Sequence, residues 1–170
     1  DAIVAIDAGA DILLRHGDVS PDNVVSLIHG AMFTRGASDL SSTSIFLGGK
    51  NIPQVEAIAS QISKTFFKSV RVSVFIDPAG ANTTAAATVL AAKRHISFKT
   101  SSGGKACHAL VLGGTGPVGQ RVSQLLANQG IHVHLASRSF ERASQHCNLL
   151  SEKFPHAQLE PTSTDKLEKV

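Results

Sequence analysis

The six residues Gly114-Thr115-Gly116-Pro117-Val118-Gly119 have the types and spacing that allow a protein backbone to hold a pyrophosphate. An apolar strand pattern at 108–112 precedes them, and a helical pattern at 118–129 follows. The first glycine permits the tight turn, the second lets the backbone approach the phosphates, and the third lets helix and strand pack closely. The helix N-terminus adds free N–H groups and a positive dipole end. A glycine-rich turn without a ligand is the alternative, but the strand–turn–helix context favours a nucleotide site.

The segment after the next strand pattern, Ser137-Arg138-Ser139, lacks the carboxylate that binds the ribose hydroxyls in NAD-preferring sites. The planar guanidinium of Arg138, with a hydroxyl on either side, suits the 2′-phosphate of NADP. The alternative is a solvated arginine at the start of a surface helix. The sequence therefore predicts NADP as the cofactor, bound by residues 114–119 and 137–139.

Three polar, glycine-marked segments in the first hundred residues lie where predicted strands or helices begin or end, at 7–11, 34–36 and 77–84. Ligands of open α/β sheets bind outside the carboxyl ends of the strands, so these segments could form one wall of a cleft. Each residue could equally be an ordinary turn or cap residue. The candidate ligand-binding residues in these segments are Asp7, Asp11, Arg35, Asn82, Thr83 and Thr84.

Strand and helix patterns alternate along the chain, which predicts an α/β fold with parallel sheets. We expect an N-terminal parallel α/β substrate domain over 1–100, a linker within 95–105, and a partial Rossmann dinucleotide-binding domain over 101–170. Ser20 and Asn82 are expected to cap helices. The first domain is predicted to contain a strand at 1–7, a helix after Ser20, a strand at 44–49, a helix at 51–67, a strand at 70–76 and a helix from Asn82 to about 95; the second is predicted to contain strands at 108–112, 131–136 and 157–160 and helices at 118–129 and 140–154.

The composition excludes several classes of protein. Apolar residues make up 42% and charged residues 17% of the 170 residues, which supports a packed core rather than disorder. The net charge of +3 comes from scattered basic residues, so we expect no nucleic-acid partner. No apolar run approaches the ~20 residues of a membrane span, so no membrane partner is expected. Cys107 and Cys147 are expected to be reduced thiols in the cytoplasm.

Two histidines, His132 and His134, alternate on one predicted strand and therefore share a face. No third ligand is spaced nearby in the sequence, so no metal site is expected. No G-x-S-x-G elbow is present either, and no cysteine–histidine pairing is indicated.

Five segments of the sequence, taken in order, resemble the bacterial NADP-dependent methylene-tetrahydromethanopterin dehydrogenases of one-carbon metabolism. The resemblance runs through essentially the whole chain, and some members of that family also act on methylene-tetrahydrofolate. Members are longer, so we expect the chain to lack a short N-terminal piece and the C-terminal third or more, and the bare fragment to have little activity. The segments are 7–11, 20–24, 34–36, 77–87 with its Asn-Thr-Thr-Ala-Ala-Ala string, and 113–119.

The resemblance implies a two-domain subunit with the active site in the cleft between domains, in a homotrimer whose neighbouring subunit helps to close that cleft. It implies that Thr84, which matches a threonine at the pterin site, is a catalytic residue. Ile12 departs from the pattern, since these enzymes carry histidine there, and 38–41 replaces a more basic loop.

The activity implied by the resemblance is oxidation of a methylene-tetrahydropterin to its methenyl form by direct hydride transfer to NADP. Three alternatives remain: a methylene-tetrahydrofolate dehydrogenase, a dehydrogenase of a small acid as in shikimate-type enzymes, and a protein that binds or senses NADP without turnover. The helix start at 82–84 favours an enzyme, because a sensor would not need it.

Overall fold

The computed structural model describes residues 2–96 and 107–165, and these form two compact units, Asp1–Ile76 and Asp77–Val170. Most of the predicted linker at 95–105 lies outside the described residues, as does the chain from 166 onward. The domain boundary predicted at 100 therefore stays a prediction. Among the described residues, no helix has both the length and the apolar character needed to cross a bilayer.

The first unit is a small parallel α/β layer. Strands β1 and β2 pair in parallel, with Ser44 opposite Ser73. The two longer helices pack together and against the sheet through apolar side chains that recur at helical spacing, which confirms the α/β prediction for this unit. The elements are α1 (Ala2–Asp7), α2 (Val24–Phe33), β1 (Ser44–Leu47), α3 (Ile52–Thr65) and β2 (Ser73–Ile76), and the core residues are Val24, Ile28, Met32, Leu47, Val55, Ile58 and Ile62.

The predicted strand at 1–7 is wrong, because the structure forms helix α1 there. Ile3, Val4 and Ile6 are 74%, 67% and 57% exposed, so this apolar run does not enter the core of the described unit. Its backbone is satisfied locally instead, for example by the 3.0 Å hydrogen bond from Ala8 N–H to the Val4 carbonyl. A short apolar run has the same composition in either conformation, and periodicity alone does not separate them.

The helix predicted after Ser20 begins at Val24, and residues 21–23 form the turn that leads into it. The Ser20 hydroxyl accepts a 3.4 Å hydrogen bond from Asn23 N–H, and the Asn23 side chain accepts one of 2.8 Å from Ser20 N–H. The Ser20 side chain therefore satisfies a backbone donor of that turn rather than one inside the helix.

The second unit has the predicted β-α-β-α-β order, and its strands are parallel in the order β3-β4-β5. Helix α4 precedes this unit's sheet in the chain and packs on α5. The partial Rossmann prediction is thus confirmed for the described residues. The elements are α4 (Ala81–His95), β3 (His108–Val111), α5 (Pro117–Ala127), β4 (His132–Ser137), α6 (Phe140–Lys153) and β5 (Leu159–Ser163).

One face of this sheet carries the core of the second unit. Val133 packs in the cluster that includes Val122 and Leu126 of α5, and Leu135 packs with Ala143 and Cys147 of α6. Since side chains alternate along a strand, the neighbouring residues of β4 point to the opposite face.

Candidate functional site

The glycine turn between β3 and α5 is fixed by its own backbone. Gly114 N–H donates a 2.8 Å hydrogen bond to the Ala136 carbonyl near the end of β4, and Gly116 N–H donates one of 2.9 Å to the Gly113 carbonyl. Gly113 has φ +66°, a conformation that glycine adopts without strain. The turn therefore lies at the carboxyl edge of the sheet, which is where open α/β sheets bind ligands.

Two glycines of the motif are required by close packing. A Cβ atom added at Gly114 would lie 2.5 Å from Cγ of Leu135. One added at Gly119 would lie 2.8 Å from Cα of Gly114 and would overlap the Gly113 carbonyl oxygen. At Gly116 a Cβ would lie 3.3 Å from that same oxygen, which is tight but not overlapping. The turn and the first turn of α5 are thus in backbone contact, as the third glycine of a dinucleotide motif requires.

The start of α5 can receive an anion. Pro117 occupies the first helical position, where the missing N–H costs nothing, and Val118 and Gly119 follow it in the first turn. The backbone N–H groups of a first turn lack intrahelical acceptors and lie at the positive end of the dipole. Gln120 ties the turn to the helix by donating a 2.7 Å hydrogen bond to the Thr115 carbonyl.

The two serines at the end of β4, Ser137 and Ser139, make hydrogen bonds within the fold. Ser137 is buried, and its hydroxyl lies 3.2 Å from the Thr115 hydroxyl, so the two loops of the edge are linked. The Ser139 hydroxyl caps α6 by accepting a 3.3 Å hydrogen bond from Arg142 N–H. It keeps its own O–H free to donate to a ligand.

Arg138 lies between these serines, and its side chain is exposed. It makes no hydrogen bond or ion pair within the described ranges 2–96 and 107–165, so its guanidinium is free to meet a phosphate at this edge of the sheet. Its role at the nucleotide stays a prediction.

The N-terminus of α4 is organised by Asp77, so the prediction that Asn82 caps this helix is wrong. The Asp77 carboxylate accepts hydrogen bonds of 2.9 Å from Asn82 N–H and 3.1 Å from Thr83 N–H, and one of 2.6 Å from the Thr83 hydroxyl. The residues 78–80 form a short 3₁₀ turn that ends at Gly80 with φ +69°, which turns the chain so that Asp77 lies beneath the helix. An Asp-Pro step before a helix is a start signal that sequence reasoning could have used.

The Asn82 side chain connects helix α4 to helix α5. Its side-chain oxygen accepts a hydrogen bond from Nε of Arg121, and Nη1 of the same arginine donates one of 2.9 Å to the Pro117 carbonyl. The first turn of α4 therefore lies beside the first two turns of α5, and both helices begin at the same end of the unit. Arg121 was missed by sequence reasoning, because a contact between two helices leaves no local pattern.

The network lowers the pKa of Asp77. Burial alone would raise it, but the hydrogen bonds from the Thr83 side chain, from Thr83 N–H and from Asn82 N–H act in the opposite direction, together with the charge of Arg121. The net result is a pKa below the ordinary value, so Asp77 is an anion at neutral pH and occupies the helix N-terminus itself.

Thr84 is exposed in the first turn of α4, next to this network. Its carbonyl accepts a 2.8 Å hydrogen bond from the Thr88 hydroxyl, while its own hydroxyl has no partner in the part of the chain that the structure describes. Asn82, Thr83 and Thr84 thus lie at the same end of the unit as the glycine turn.

The remaining candidates, Asp7, Asp11 and Arg35, belong to the first unit and are exposed. Their side chains form no hydrogen bond or ion pair with one another or with any other described residue. Their role in ligand binding stays a prediction.

A third histidine lies beside His132 and His134 in the folded sheet, although none is spaced near them in the sequence. His108 on β3 lies opposite His132 in the parallel register, and one ring nitrogen from each of the three residues lies within 4.8 Å of the other two. The sequence separation of 24 residues hid this contact, which only strand pairing creates.

Comparison with known proteins agrees with this geometry. Residues 1–79 match the family model described as methylene-tetrahydromethanopterin dehydrogenase, N-terminal. Over 155 residues the chain is 39% identical to the bifunctional protein MdtA of Methylorubrum extorquens. The aligned region covers 91% of this chain and 52% of MdtA. Over 141 residues it is 33% identical to the NAD(P)-dependent methylenetetrahydromethanopterin dehydrogenase of the same organism. This aligned region covers 83% of this chain and 48% of that dehydrogenase.

The chain spans about half the length of these curated relatives. Since 155 of its residues align with one of them, the similarity extends past residue 79 into the second unit. The first 79 residues therefore match the N-terminal domain of the methylene-tetrahydromethanopterin dehydrogenase family, and the similarity to these dehydrogenases continues into the second unit.

Proposed function

We propose that this chain forms the pterin-binding and NADP-binding part of an NADP-dependent methylene-tetrahydromethanopterin dehydrogenase. The observation that carries the proposal is the glycine turn, which has no room for a Cβ at Gly114 or Gly119 and lies beside the Asn82–Thr84 helix start. A nucleotide-binding turn and a polar helix start at the same end of one unit suit an oxidoreductase with two substrates. One relative's name states this activity with NAD(P).

The cofactor assignment rests on the chemistry of the sheet edge. The close turn and the first turn of α5 suit the pyrophosphate, while the Ser139 O–H and the exposed Arg138 guanidinium suit a phosphate on the adenine ribose. When bound, NADP⁺ supplies the hydride acceptor. Charge-assisted hydrogen bonds contribute roughly 1.5–3 kcal/mol each, so one or two of them give a preference for NADP over NAD of about ten- to a thousandfold.

Calorimetric titration of both nucleotides tests this assignment. We expect Arg138→Ala to weaken NADP binding and to leave NAD binding nearly unchanged. Arg94→Ala, which removes another exposed arginine, from the last turn of α4, is the matched control and should change neither affinity. Equal affinities in the unmodified protein, or equal weakening of both nucleotides by Arg138→Ala, would show that Arg138 is only a solvated helix-start residue.

The proposed reaction needs positioning more than acid–base chemistry. The methylene carbon bridges two nitrogens, so loss of a hydride leaves a cation that those nitrogens share, and no proton is removed in that step. Catalysis can then come from orientation and electrostatics. We assign this to the α4 start, where the Thr84 hydroxyl donates to or accepts from the pterin while Asp77 and Arg121 hold the helix in place. We also propose Asp7, Asp11 and Arg35 of the first unit as substrate-binding residues.

Absorbance of the reduced nicotinamide separates the competing activities. We expect NADPH to form when methylene-tetrahydromethanopterin is added to the native protein with NADP⁺. If NADPH formed only with methylene-tetrahydrofolate or a small hydroxy acid, that compound would be assigned as the substrate and the fold assignment would stand. Tight NADP binding without absorbance change for any of these substrates would favour the sensing protein.

We further propose a cytoplasmic homo-oligomer, a trimer by family resemblance, without nucleic-acid or membrane partners. Free thiols at Cys107 and Cys147 support a reducing compartment. Analytical ultracentrifugation of the native protein measures the oligomeric state.

A further inference from the structure

The sheet of the second unit carries a polar cluster on the face opposite α5 and α6. Three histidines and one glutamate from three adjacent strands point to this face: His108 on β3, His132 and His134 on β4, and Glu160 on β5. His132 and His134 are about four-fifths buried, with side-chain exposures of 21% and 16%, while Glu160 is 59% exposed. The cluster takes no part in the nucleotide edge or in the α4 start described above.

From this cluster we propose a binding site for a divalent transition-metal ion of the zinc type, held by His108, His132 and His134. Neutral imidazole nitrogens are preferred ligands of such ions, and three of them leave a fourth tetrahedral position for water or another ligand.

The ring geometry supports three ligands around one ion. Nδ1 of His108 lies 3.2 Å from Nε2 of His134, and the ligand nitrogens of all three residues lie within 4.8 Å of one another. Two nitrogens that ligate one tetrahedral zinc at ~2.0–2.1 Å are roughly 3.3–3.4 Å apart. The His108–His134 pair is thus already near the spacing that a shared ion requires, and the nitrogen of His132 must approach the other two by at most about 1.5 Å.

Glu160 supplies the orienting contact that metal-binding histidines usually have. Its Oε2 lies 3.1 Å from Nδ1 of His134, and its Oε1 lies 3.7 Å from Nε2 of His132. In the tautomer that carries its proton on Nδ1, His134 donates to this carboxylate and the lone pair of its Nε2 faces the His108 ring. A carboxylate on the far nitrogen of a ligand histidine fixes its tautomer and makes the ligating nitrogen more basic.

Competition between the chain and a chromogenic chelator for Zn²⁺ at neutral pH tests the site. We expect one Zn²⁺ per chain, a loss of about a hundredfold or more in affinity for His134→Asn, and a loss of about 10- to 100-fold for Glu160→Gln. His156→Asn, which removes an exposed histidine outside the cluster, and Cys107→Ser, which removes the neighbouring thiol, should leave the affinity within about twofold. The far-ultraviolet circular dichroism of each variant checks that it has folded.

A second measurement uses Co²⁺, whose visible ligand-field absorption reports tetrahedral coordination. We expect intense bands in the unmodified chain and their loss in His132→Asn, and we expect the affinity to fall with acid because the imidazoles must be neutral. Zn²⁺ binding that the histidine substitutions leave unchanged, or that Cys107→Ser abolishes, would overturn the proposal. So would the absence of Zn²⁺ binding to the folded, unmodified chain.

Discussion

Replacing Gly119 by alanine separates the close packing of the glycine turn from ordinary helix chemistry. Gly119 lies in the first turn of α5, and in a helix alanine is favoured over glycine by about 1 kcal/mol. Local propensity alone therefore predicts that Gly119→Ala stabilises the protein. The structure predicts the opposite, because the added Cβ would lie 2.8 Å from Cα of Gly114 and 2.9 Å from the carbonyl carbon of Gly113. These are backbone atoms, which cannot rotate aside as a side chain can.

Overpacking costs typically 1–3 kcal/mol, and contact with backbone places this case at the upper end. After the gain of about 1 kcal/mol in propensity, we expect Gly119→Ala to lower the free energy of unfolding by about 2 kcal/mol, measured by urea denaturation. Displacing the turn should also remove at least one N–H contact to the phosphates, and NADP affinity should fall about 10- to 100-fold.

Gly30→Ala is the matched control, because Gly30 lies inside helix α2, where an added Cβ meets nothing within 4 Å. We expect this substitution to stabilise the protein by about 0.5–1 kcal/mol and to leave NADP binding unchanged. If Gly119→Ala were as stabilising as Gly30→Ala and bound NADP normally, the close approach of turn and helix would be refuted as the reason for the glycine.

Three further predictions concern the second unit. Thr84→Val removes a hydroxyl without a described partner, so we expect kcat/KM for hydride transfer to fall about tenfold with little change in Tm. The pKa of Asp77 is lowered below the ordinary 3.8, so the ionised carboxylate stabilises the folded protein above pH 3.8. This stabilisation is lost as the pH falls through the lower pKa of the folded state. In urea titrations, acid should therefore lower the free energy of unfolding more steeply for the unmodified protein than for Asp77→Asn. Burial raises the pKa of Cys147 to about 11, so at pH 8 its thiolate fraction is about 10⁻³ and a thiol reagent should label Cys107 first, as peptide mass mapping would show.

Each of these has a control or a contrary outcome. Thr88→Val removes an exposed hydroxyl one turn further along α4 and should not change kcat/KM; an equal loss in both variants would contradict a role of Thr84 at the pterin. Parallel stability–pH curves for the unmodified protein and Asp77→Asn would show that the carboxylate does not hold the α4 start. Labelling of Cys147 before Cys107 would show that the core beneath α6 opens readily.

Elements fixed by regular patterns could be predicted from the sequence. The alternation of strands and helices predicts the parallel sheet of the second unit. The glycine spacing at 114–119 predicts the turn at its edge, because each glycine is required by the local backbone geometry or packing. The run at 1–7 could not be assigned in this way. Its apolar residues remain exposed on a short helix, and no local rule distinguishes that from a buried strand.

Contacts between residues that are distant in the sequence account for the other differences between the predicted and the observed site. Asp77 and Asn82 both have side chains that cap helices, and only the 3₁₀ turn between them decides that Asp77 meets the N–H groups. The Asn82–Arg121 contact and the meeting of His108 with His134 depend on helix packing and strand register. Neither of these two contacts can be predicted from the spacing of the residues in the sequence.

Direct transfer of the methylene hydrogen is the central claim, and isotopic labelling measures it. The native protein is mixed with NADP⁺ and methylene-tetrahydromethanopterin that carries two deuterium atoms on the bridging carbon, and the nucleotide is analysed by mass spectrometry. We expect reduced NADP with one deuterium at the nicotinamide, because a hydride passes between carbons without exchange with water. Reduced nucleotide without deuterium, or no reduced nucleotide while NADP is bound, would contradict the proposed dehydrogenase.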